Sequence, residues 1–392
     1  VNFDVSQRRA IEAVLTKGDW LITGGAGTGK SSLIKAIADA YNGACSIMAP
    51  TGKAAARLKE VTGYPAYTIH RMLMYDGAKF NRPRHQKFTE PVIIDEASMM
   101  DSYITARLLE YTPAKLILVG DAAQLPPVGR GAPFHSLLKL RPERVCELTH
   151  CWRAQGAVHI AAQQVRQGVT PKRRLRSGGE SFSMIPTGKA EPTAKQLIAW
   201  TEEGYYDPIP SKENGFTPDI MLAPRYGDKS ANDDGKQDGG IHAINRSLRA
   251  ILNPSEEPFA VNDRVICNKN FSELDLWNGD LGTVSDIDVD GQLYVDLDRD
   301  PGRPRLCGKE EIRELSHAYC LSVHKAQGSQ FRRVFFICLW SHHRMLERSL
   351  IYTAITRARE GIVVCGQPEA FKRGLAENRT KRTVMGVLGM KA

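Results

Sequence analysis

The sequence predicts an α/β chain with parallel sheets, divided into two domains. Short apolar runs alternate with helical patterns over the first 150 residues, and the same alternation restarts farther along. At 392 residues the chain is long for one domain. Hydrophobic residues at 42% and charged residues at 25% are a globular mix, which excludes collagen-like and disordered classes. The longest apolar run, residues 334–340, falls far short of the roughly 18 residues that span a membrane.

In order, residues 6–17 read as a helix, with Ser6 as cap, Ala10, Ile11, Val14 and Leu15 on one face, and Gly18 as stop. Residues 20–23 read as a buried strand, followed by a glycine-rich turn and a helix carrying Leu33, Ile34 and Ile37. Further strands are expected at 45–49, 92–94 and 116–119. The first domain is taken as 1–150 and the second as 151–392, with strands at 220–223, 318–322, 334–339 and 361–365. Inside the second, residues 258–314 change character. Segments 264–267, 281–287 and 292–297 alternate or are β-branched, and Asp290-Gly291 suits a hairpin turn, so a small β-barrel insert is expected. Residues 169–188 and 226–240, rich in polar residues and glycine, read as mobile stretches.

Lysine and arginine outnumber the acids 53 to 44, for a net charge of +9. That suits a polyanionic partner without naming one. The N-terminus lacks the layout of a secretory signal, so the expected location is cytoplasmic, in a cell or in a phage host. The eight cysteines include no CxxC pair and read as cytosolic thiols, mostly buried. A zinc site through His150, Cys151, His317 and Cys320 fits no common ligand spacing.

The strongest motif runs from Gly24 to Ser31 and fits G-x4-G-K-[ST], with a strand before it and a helix after. Its glycines let backbone N–H groups turn toward phosphate oxygens, and the helix N-terminus adds partial positive charge. Lys30 is placed to reach the β- and γ-phosphates of ATP, and the Ser31 hydroxyl to ligate Mg2+. A second motif ends an apolar strand in two carboxylates. Asp95 stands where a Mg2+-holding acid belongs, and Glu96 where a base could polarise the attacking water.

Beyond these, a series in sequence order resembles superfamily 1 helicases, in the RecD-like branch that includes the small phage helicase Dda. Gln7 is similar to the adenine-reading glutamine. Residues 49–55 resemble motif Ia, 68–71 motif Ib, 95–99 motif II, 120–128 motif III, 148–155 motif IV, 322–329 motif V and 352–358 motif VI. The resemblance implies two RecA-like P-loop domains with ATP between them and 5′-to-3′ movement on single-stranded DNA. It implies nucleotide contacts from Gln7, Gly25, Ala26, Gly27, Thr28, Gly29, Lys30, Ser31, Ser32, Trp152 and Gly328. Gln124 is implied as the γ-phosphate sensor, and Arg153 and Arg357 as arginines that neutralise charge in the transition state. Gln330 departs from the pattern, since many relatives carry a ribose-contacting Glu there.

The nucleic-acid track implied by the family takes Pro50, Thr51, Lys53, Thr68 and His70 from the first domain. It takes Arg225, Ser322, His324 and Lys325 from the second. The basic cluster Lys172, Arg173, Arg174 and Arg176 reads as a solvated loop. Residues 72–90 correspond to a β-hairpin, or pin, that splits the duplex, with Asp76-Gly77 as its turn. Phe80 is expected as the exposed ring that stacks on the terminal base pair, with Tyr75 and Phe88 behind it. The 258–314 insert resembles the SH3-like barrel of this branch, most closely at 277–280. Together these imply an ATP-dependent DNA helicase that binds single strands and duplex junctions, acts as a monomer, and works with replication or recombination proteins. The alternative is a DNA-binding ATPase switch or motor subunit of a recombination or mobilisation complex.

Overall fold

The computed structural model describes residues 2–111, 113–152, 156–187, 196, 199–201, 203–210, 218–224 and 240–379. The chain divides into two units between residues 154 and 155. In the first unit the opening helix is Val5–Leu15. Its cap is Asp4 rather than the expected Ser6. The Asp4 carboxylate accepts from the Ser6 and Gln7 backbone N–H groups, while the Gln7 side chain accepts from the Asp4 N–H. This reciprocal box satisfies donors that a helix start otherwise leaves open.

Six strands follow: β1 (Trp20–Gly24), β2 (Ser46–Ala49), β3 (Ala66–Thr68), β4 (Pro91–Ile94), β5 (Lys115–Gly120) and β6 (Val145–Leu148). They form one parallel sheet in the order β3-β2-β4-β5-β1-β6. Adjacent residues face opposite layers. Ile22, Ile47, Ile93 and Ile117 pack with Leu33, Ile34 and Ile37 of helix Lys30–Ala40. Leu21, Met48, Ile94 and Leu118 pack with Leu108, Phe134 and Leu137 on the other side. A parallel sheet covered on both faces requires such continuous apolar strands, which is why they stand out in the sequence. Strands β3 and β6, at the two edges, are less buried than the inner strands, and were not expected.

The parallel sheet of the second unit contains β7 (Arg174–Ser177), β8 (Glu180–Pro186) and β9 (Ile220–Ala223). Between β9 and the rest of that sheet run β10 (Arg264–Cys267), β11 (Leu281–Ile287), β12 (Leu293–Leu297), β13 (Asp300–Cys307) and β14 (Leu315–His317). The last strands are β15 (Cys320–Ser322), β16 (Phe331–Cys338) and β17 (Ala358–Gly366). One sheet has the order β15-β9-β16-β17-β8-β7, parallel except for the β7–β8 hairpin. The expectation that 169–188 is mobile is therefore corrected. Gly178 and Gly179, both at positive φ, turn the chain between β7 and β8, and Phe182 and Met184 are buried. The basic cluster is corrected in part: Lys172 and Arg173 precede the strand and all four side chains are exposed, but Arg174 and Arg176 lie on edge strand β7 rather than in a loop. Of the other polar stretch, residues 226–239 lie outside the described residues, and Gly240 caps helix Ile241–Leu252.

Strands β10 to β14 make an antiparallel sheet in the order β13-β12-β11-β10-β14, around Val265, Val284, Leu293, Val295 and Leu297. Gly291, at φ 75°, sits in the expected turn between β11 and β12. Strand β13 was not expected, because Pro301 and Pro304 argue against a strand; at a sheet edge a missing N–H is tolerated.

Asp263 ties this insert to the parallel sheet. Its fully buried carboxylate accepts from Arg249 Nε at 3.1 and 3.0 Å, Asn253 Nδ2 at 3.0 Å, the Ala260 N–H at 2.8 Å and the Tyr319 hydroxyl at 2.9 Å. His317 Nε2 lies 3.4 Å away. Burial works to raise this carboxyl, but hydrogen bonds from His317, Arg249, Ala260 and Asn253 hold it well below the usual carboxylate range. All eight cysteines are free thiols, five of them buried. Among the described residues no helix is long and apolar enough to cross a membrane.

Candidate nucleotide and nucleic-acid site

Because the first sheet is parallel, the C-terminal ends of its strands share one edge, and β4, β5 and β1 are neighbours there. The segments that follow these three strands therefore converge. They are the phosphate loop after β1, Asp95-Glu96 after β4, and Asp121 to Gln124 after β5.

The loop turns on Gly27 and Gly29, at φ 81° and 77°. The Thr28 hydroxyl donates to the Gly25 carbonyl at 2.9 Å. A Cβ on Gly24 would lie 2.6 Å from that hydroxyl oxygen, so the loop leaves no room for a side chain there. Lys30 opens helix Lys30–Ala40, and its ammonium donates to the carbonyls of Gly24 and Gly25 at 2.8 and 2.9 Å. Ser31 and Ser32 follow in the first turn of that helix.

Asp95 is buried. Desolvation and the neighbouring Glu96 carboxylate push its carboxyl up, and the Lys30 ammonium pulls it back. Glu96 holds a left-handed backbone, φ 51°, with its N–H on the Asp95 carboxylate at 2.9 Å. Such a conformation is costly for a residue with a side chain and is typical of functional turns. Glu96 Oε2 and Gln124 Oε1 are both buried, with no hydrogen-bond partner among the described residues. Buried polar atoms are normally paired, so two orphans beside a phosphate loop point to polar ligands. Hard oxygen donors such as Ser31 and Asp95 suit Mg2+. Among the described residues no three His, Cys, Asp or Glu side chains cluster to hold a metal. An ion at this site would thus take its remaining ligands from phosphate and water.

Gln7 and Trp152 meet above the loop. The Trp152 indole N–H donates to Gln7 Oε1 at 3.1 Å, and Gln7 Nε2 donates to the Thr28 carbonyl at 3.2 Å. The Trp152 backbone N–H donates to the Gly27 carbonyl at 2.9 Å. Burial works to raise the adjacent Asp4 carboxyl, but hydrogen bonds from Ser6, Gln7 and the indole bring it below its ordinary value. The role of Asp4 was missed in the sequence, although the Asp4-to-Gln7 spacing is that of a capping box.

Of the residues expected to touch nucleic acid, Pro50 and Thr51 follow β2. Thr51 caps helix Gly52–Thr62, which carries Lys53, and Thr68 caps the short helix Ile69–Met72, which carries His70. Within 72–90 the hairpin is reduced to a single antiparallel bridge, Tyr75 to Phe80. Asp76 accepts from the N–H groups of Ala78 and Lys79 and from Asn81 Nδ2, and these bonds lower its carboxyl to about 2. The expectation of an exposed Phe80 is corrected. The ring is half-buried against the core, 4.8 Å from Tyr75, 5.7 Å from His70 and 5.9 Å from Tyr103. Phe88 is buried outright, whereas Tyr75 and Tyr103 are 40% and 53% exposed. Burial among these rings lowers the His70 pKa. Tyr103 was missed, because nothing in its sequence position sets it beside the hairpin.

In the second unit Ser322 ends β15, and its hydroxyl accepts from the Lys325 N–H at 3.1 Å. The Lys325 ammonium bonds to Asn268 Oδ1 on the antiparallel insert, and burial lowers its pKa. His324 lies between them in the sequence. Gly328, at φ 75°, precedes Ser329, whose carbonyl accepts from the Arg357 guanidinium at 3.1 Å. Arg357 is 5% exposed and also donates to Thr353 O and Thr356 Oγ1 at 3.2 Å each, so motifs V and VI meet there. Gln330 accepts from Arg359 at 3.3 Å. Arg153 and Arg225 lie outside the described residues.

The chain matches the AAA domain family over residues 2–180 and the UvrD-like helicase C-terminal domain family over 317–365. It is 32% identical to the ATP-dependent RecD2 DNA helicase of Deinococcus radiodurans, over 92% of this chain and 49% of that protein. It is 28% identical to the RecBCD enzyme subunit RecD of Mycobacterium tuberculosis, over 96% of this chain and 71% of that one. The chain thus spans about half the length of the Deinococcus relative. Its fold is similar to that of Pif1 from Bacteroides, with a TM-score of 0.57 at 18% identity, covering 93% of this chain and 92% of the other. By these similarities and by its ordered motifs, the chain is similar to the RecD-like superfamily 1 helicases.

Proposed function

We propose that this chain is an ATP-driven DNA helicase that moves 5′-to-3′ on single-stranded DNA. The observation that carries the reading is the convergence of phosphate loop, Asp95-Glu96 and Gln124, with Glu96 Oε2 and Gln124 Oε1 buried and without a partner among the described residues. In this reading Lys30 neutralises phosphate charge, Glu96 takes a proton from the attacking water, and Gln124 senses the γ-phosphate. Arg153 and Arg357 serve as the transition-state arginines. Ser31 and Asp95 would hold Mg2+, which when bound offsets negative charge on the β- and γ-phosphate oxygens. Gln7, Trp152, Gly328 and Ser32 complete the nucleotide contacts.

Pro50, Thr51, Lys53, Thr68 and His70 in the first unit, with Arg225, Ser322, His324 and Lys325 in the second, grip the strand in alternation as nucleotide turns over. The direction of travel is taken from the family. The DNA substrate is supported by the RecD2 relative, a DNA helicase by name, and by the Bacteroides Pif1 structure, which holds single-stranded DNA. The Mycobacterium relative is a subunit of a larger enzyme, which favours a second reading as a motor subunit in a recombination complex. An SH3-like role for the β10–β14 insert belongs to the same proposal.

We assign the duplex-splitting contact to Tyr75, with Phe80 as the packed ring behind it. Tyr75→Ala is expected to slow unwinding about 5- to 150-fold, the loss of one base-stacking contact of roughly 1–3 kcal/mol, while single-strand-stimulated ATP turnover stays near wild type. Phe80→Ala should lower both, because it also removes packing from the core. Equal losses in the two assays for Tyr75→Ala would remove the pin role.

A further inference from the structure

Strand β15 follows closely on β14, the closing strand of the antiparallel insert. Lys325 comes just after β15, and its side chain turns back to the start of that insert. The ammonium donates to Oδ1 of Asn268, the residue after β10, across 57 positions of sequence. An ammonium accepts nothing, so the oxygen end of the Asn268 amide must be the end that faces it. The other end, Nδ2, donates to Ser316 Oγ on β14 at 2.9 Å, and the Asn268 backbone N–H donates to the Glu314 carbonyl at 2.8 Å. The pairing of Ile266 with Ser316 and of Cys267 with Leu315 sets these two segments side by side. The amide is therefore fixed at both ends, and Asn268 and Lys325 are both half-buried.

An amide at this place supplies an acceptor without a charge. A carboxylate there would neutralise the lysine. The amide oxygen takes one of the three N–H donors and leaves the positive charge and the other two donors for a ligand. A free lysine side chain loses much rotamer freedom when it grips a phosphate, and one already held loses less.

We propose that Asn268 is a positioning residue for the strand grip: the first turn of the insert aims the Lys325 ammonium at a phosphate of single-stranded DNA and leaves its charge free. The inference rests on the proposed strand contact of Lys325 and goes beyond it by giving the insert a part in that contact.

The test is binding of a labelled oligothymidylate to the full chain over a salt series, read both as affinity and as the slope of log K against log salt. One phosphate contact on a single strand contributes about 0.7 to that slope. Lys325→Met should lower the slope by about 0.7. Asn268→Asp keeps the shape but pairs a carboxylate with the ammonium, so it should lower the slope by a similar amount and the affinity roughly 3- to 10-fold. Asn268→Ala leaves the charge in place. It should keep the wild-type slope and lower affinity roughly 2- to 10-fold, the worth of one hydrogen bond. In the Lys325→Met background, Asn268→Asp should change the slope no further. A residue that only braced the insert would shift affinity in both Asn268 variants and the slope in neither. Asn268→Asp with the wild-type slope, or Asn268→Ala with wild-type affinity, overturns the proposal, and a lowered Lys325→Met slope in the same series would leave the strand contact of Lys325 standing. A Lys325→Met slope equal to wild type removes that contact and the proposal with it.

Discussion

Lys30→Ala is expected to lower DNA-stimulated ATP turnover by at least 10²–10³-fold, the usual cost of removing one preorganised electrostatic contact from a phosphate or oxyanion site. The ammonium is held on the Gly24 and Gly25 carbonyls at the mouth of the loop and, with a smaller contribution from Arg57, opposes the charge on Asp95. It caps nothing and fills no core, so the variant should unfold at the wild-type denaturant midpoint. Steady-state hydrolysis with saturating single-stranded DNA checks the first half, and chemical denaturation the second. Wild-type turnover in the variant would remove the catalytic assignment of the loop.

Asp263→Ala should be the most damaging structural change, costing about 3–5 kcal/mol, the usual result of breaking a buried ion pair and stranding its partner. The carboxylate takes hydrogen bonds from the 241–252 helix, the segment after it and the strand leading to β15, and Arg249 would be left without its buried counter-charge. The pH dependence has a definite sign. The folded carboxyl titrates below its unfolded value, so its stabilisation is full above the unfolded pKa of about 4 and is lost as pH falls through the folded one. The wild-type and Asp263→Ala denaturation midpoints should therefore converge as pH drops below about 4. A gap that stays constant from pH 7 to the acid range would mean that the carboxylate charge contributes nothing.

What could be read in advance follows from the physics of each element. Strands β1, β2, β4, β5, β9, β16 and β17 each carry a short uninterrupted apolar run because both their faces are covered, and the motifs at their ends are short and contiguous in sequence. Strand β8 escaped notice because Ser181 and Ser183 alternate with Phe182 and Met184, which resembles a polar loop. Strand β13 escaped because its prolines are tolerated only at an edge. The Gln7–Trp152 bond joins residues 145 apart, and no local pattern announces a contact of that span. Phe80 and Tyr75 look alike in sequence, since an aromatic serves a core or a surface equally well; only the fold decides that Phe80 lies against the core and Tyr75 faces outward.

The central claim is that nucleotide turnover moves a DNA strand through this chain. Its most direct test is strand separation on duplexes carrying either a 5′ or a 3′ single-stranded tail, with ATP and with a non-hydrolysable analogue. The account predicts unwinding of the 5′-tailed duplex, only with ATP, and little on the 3′-tailed one. Robust ATP hydrolysis without separation of either substrate would contradict it.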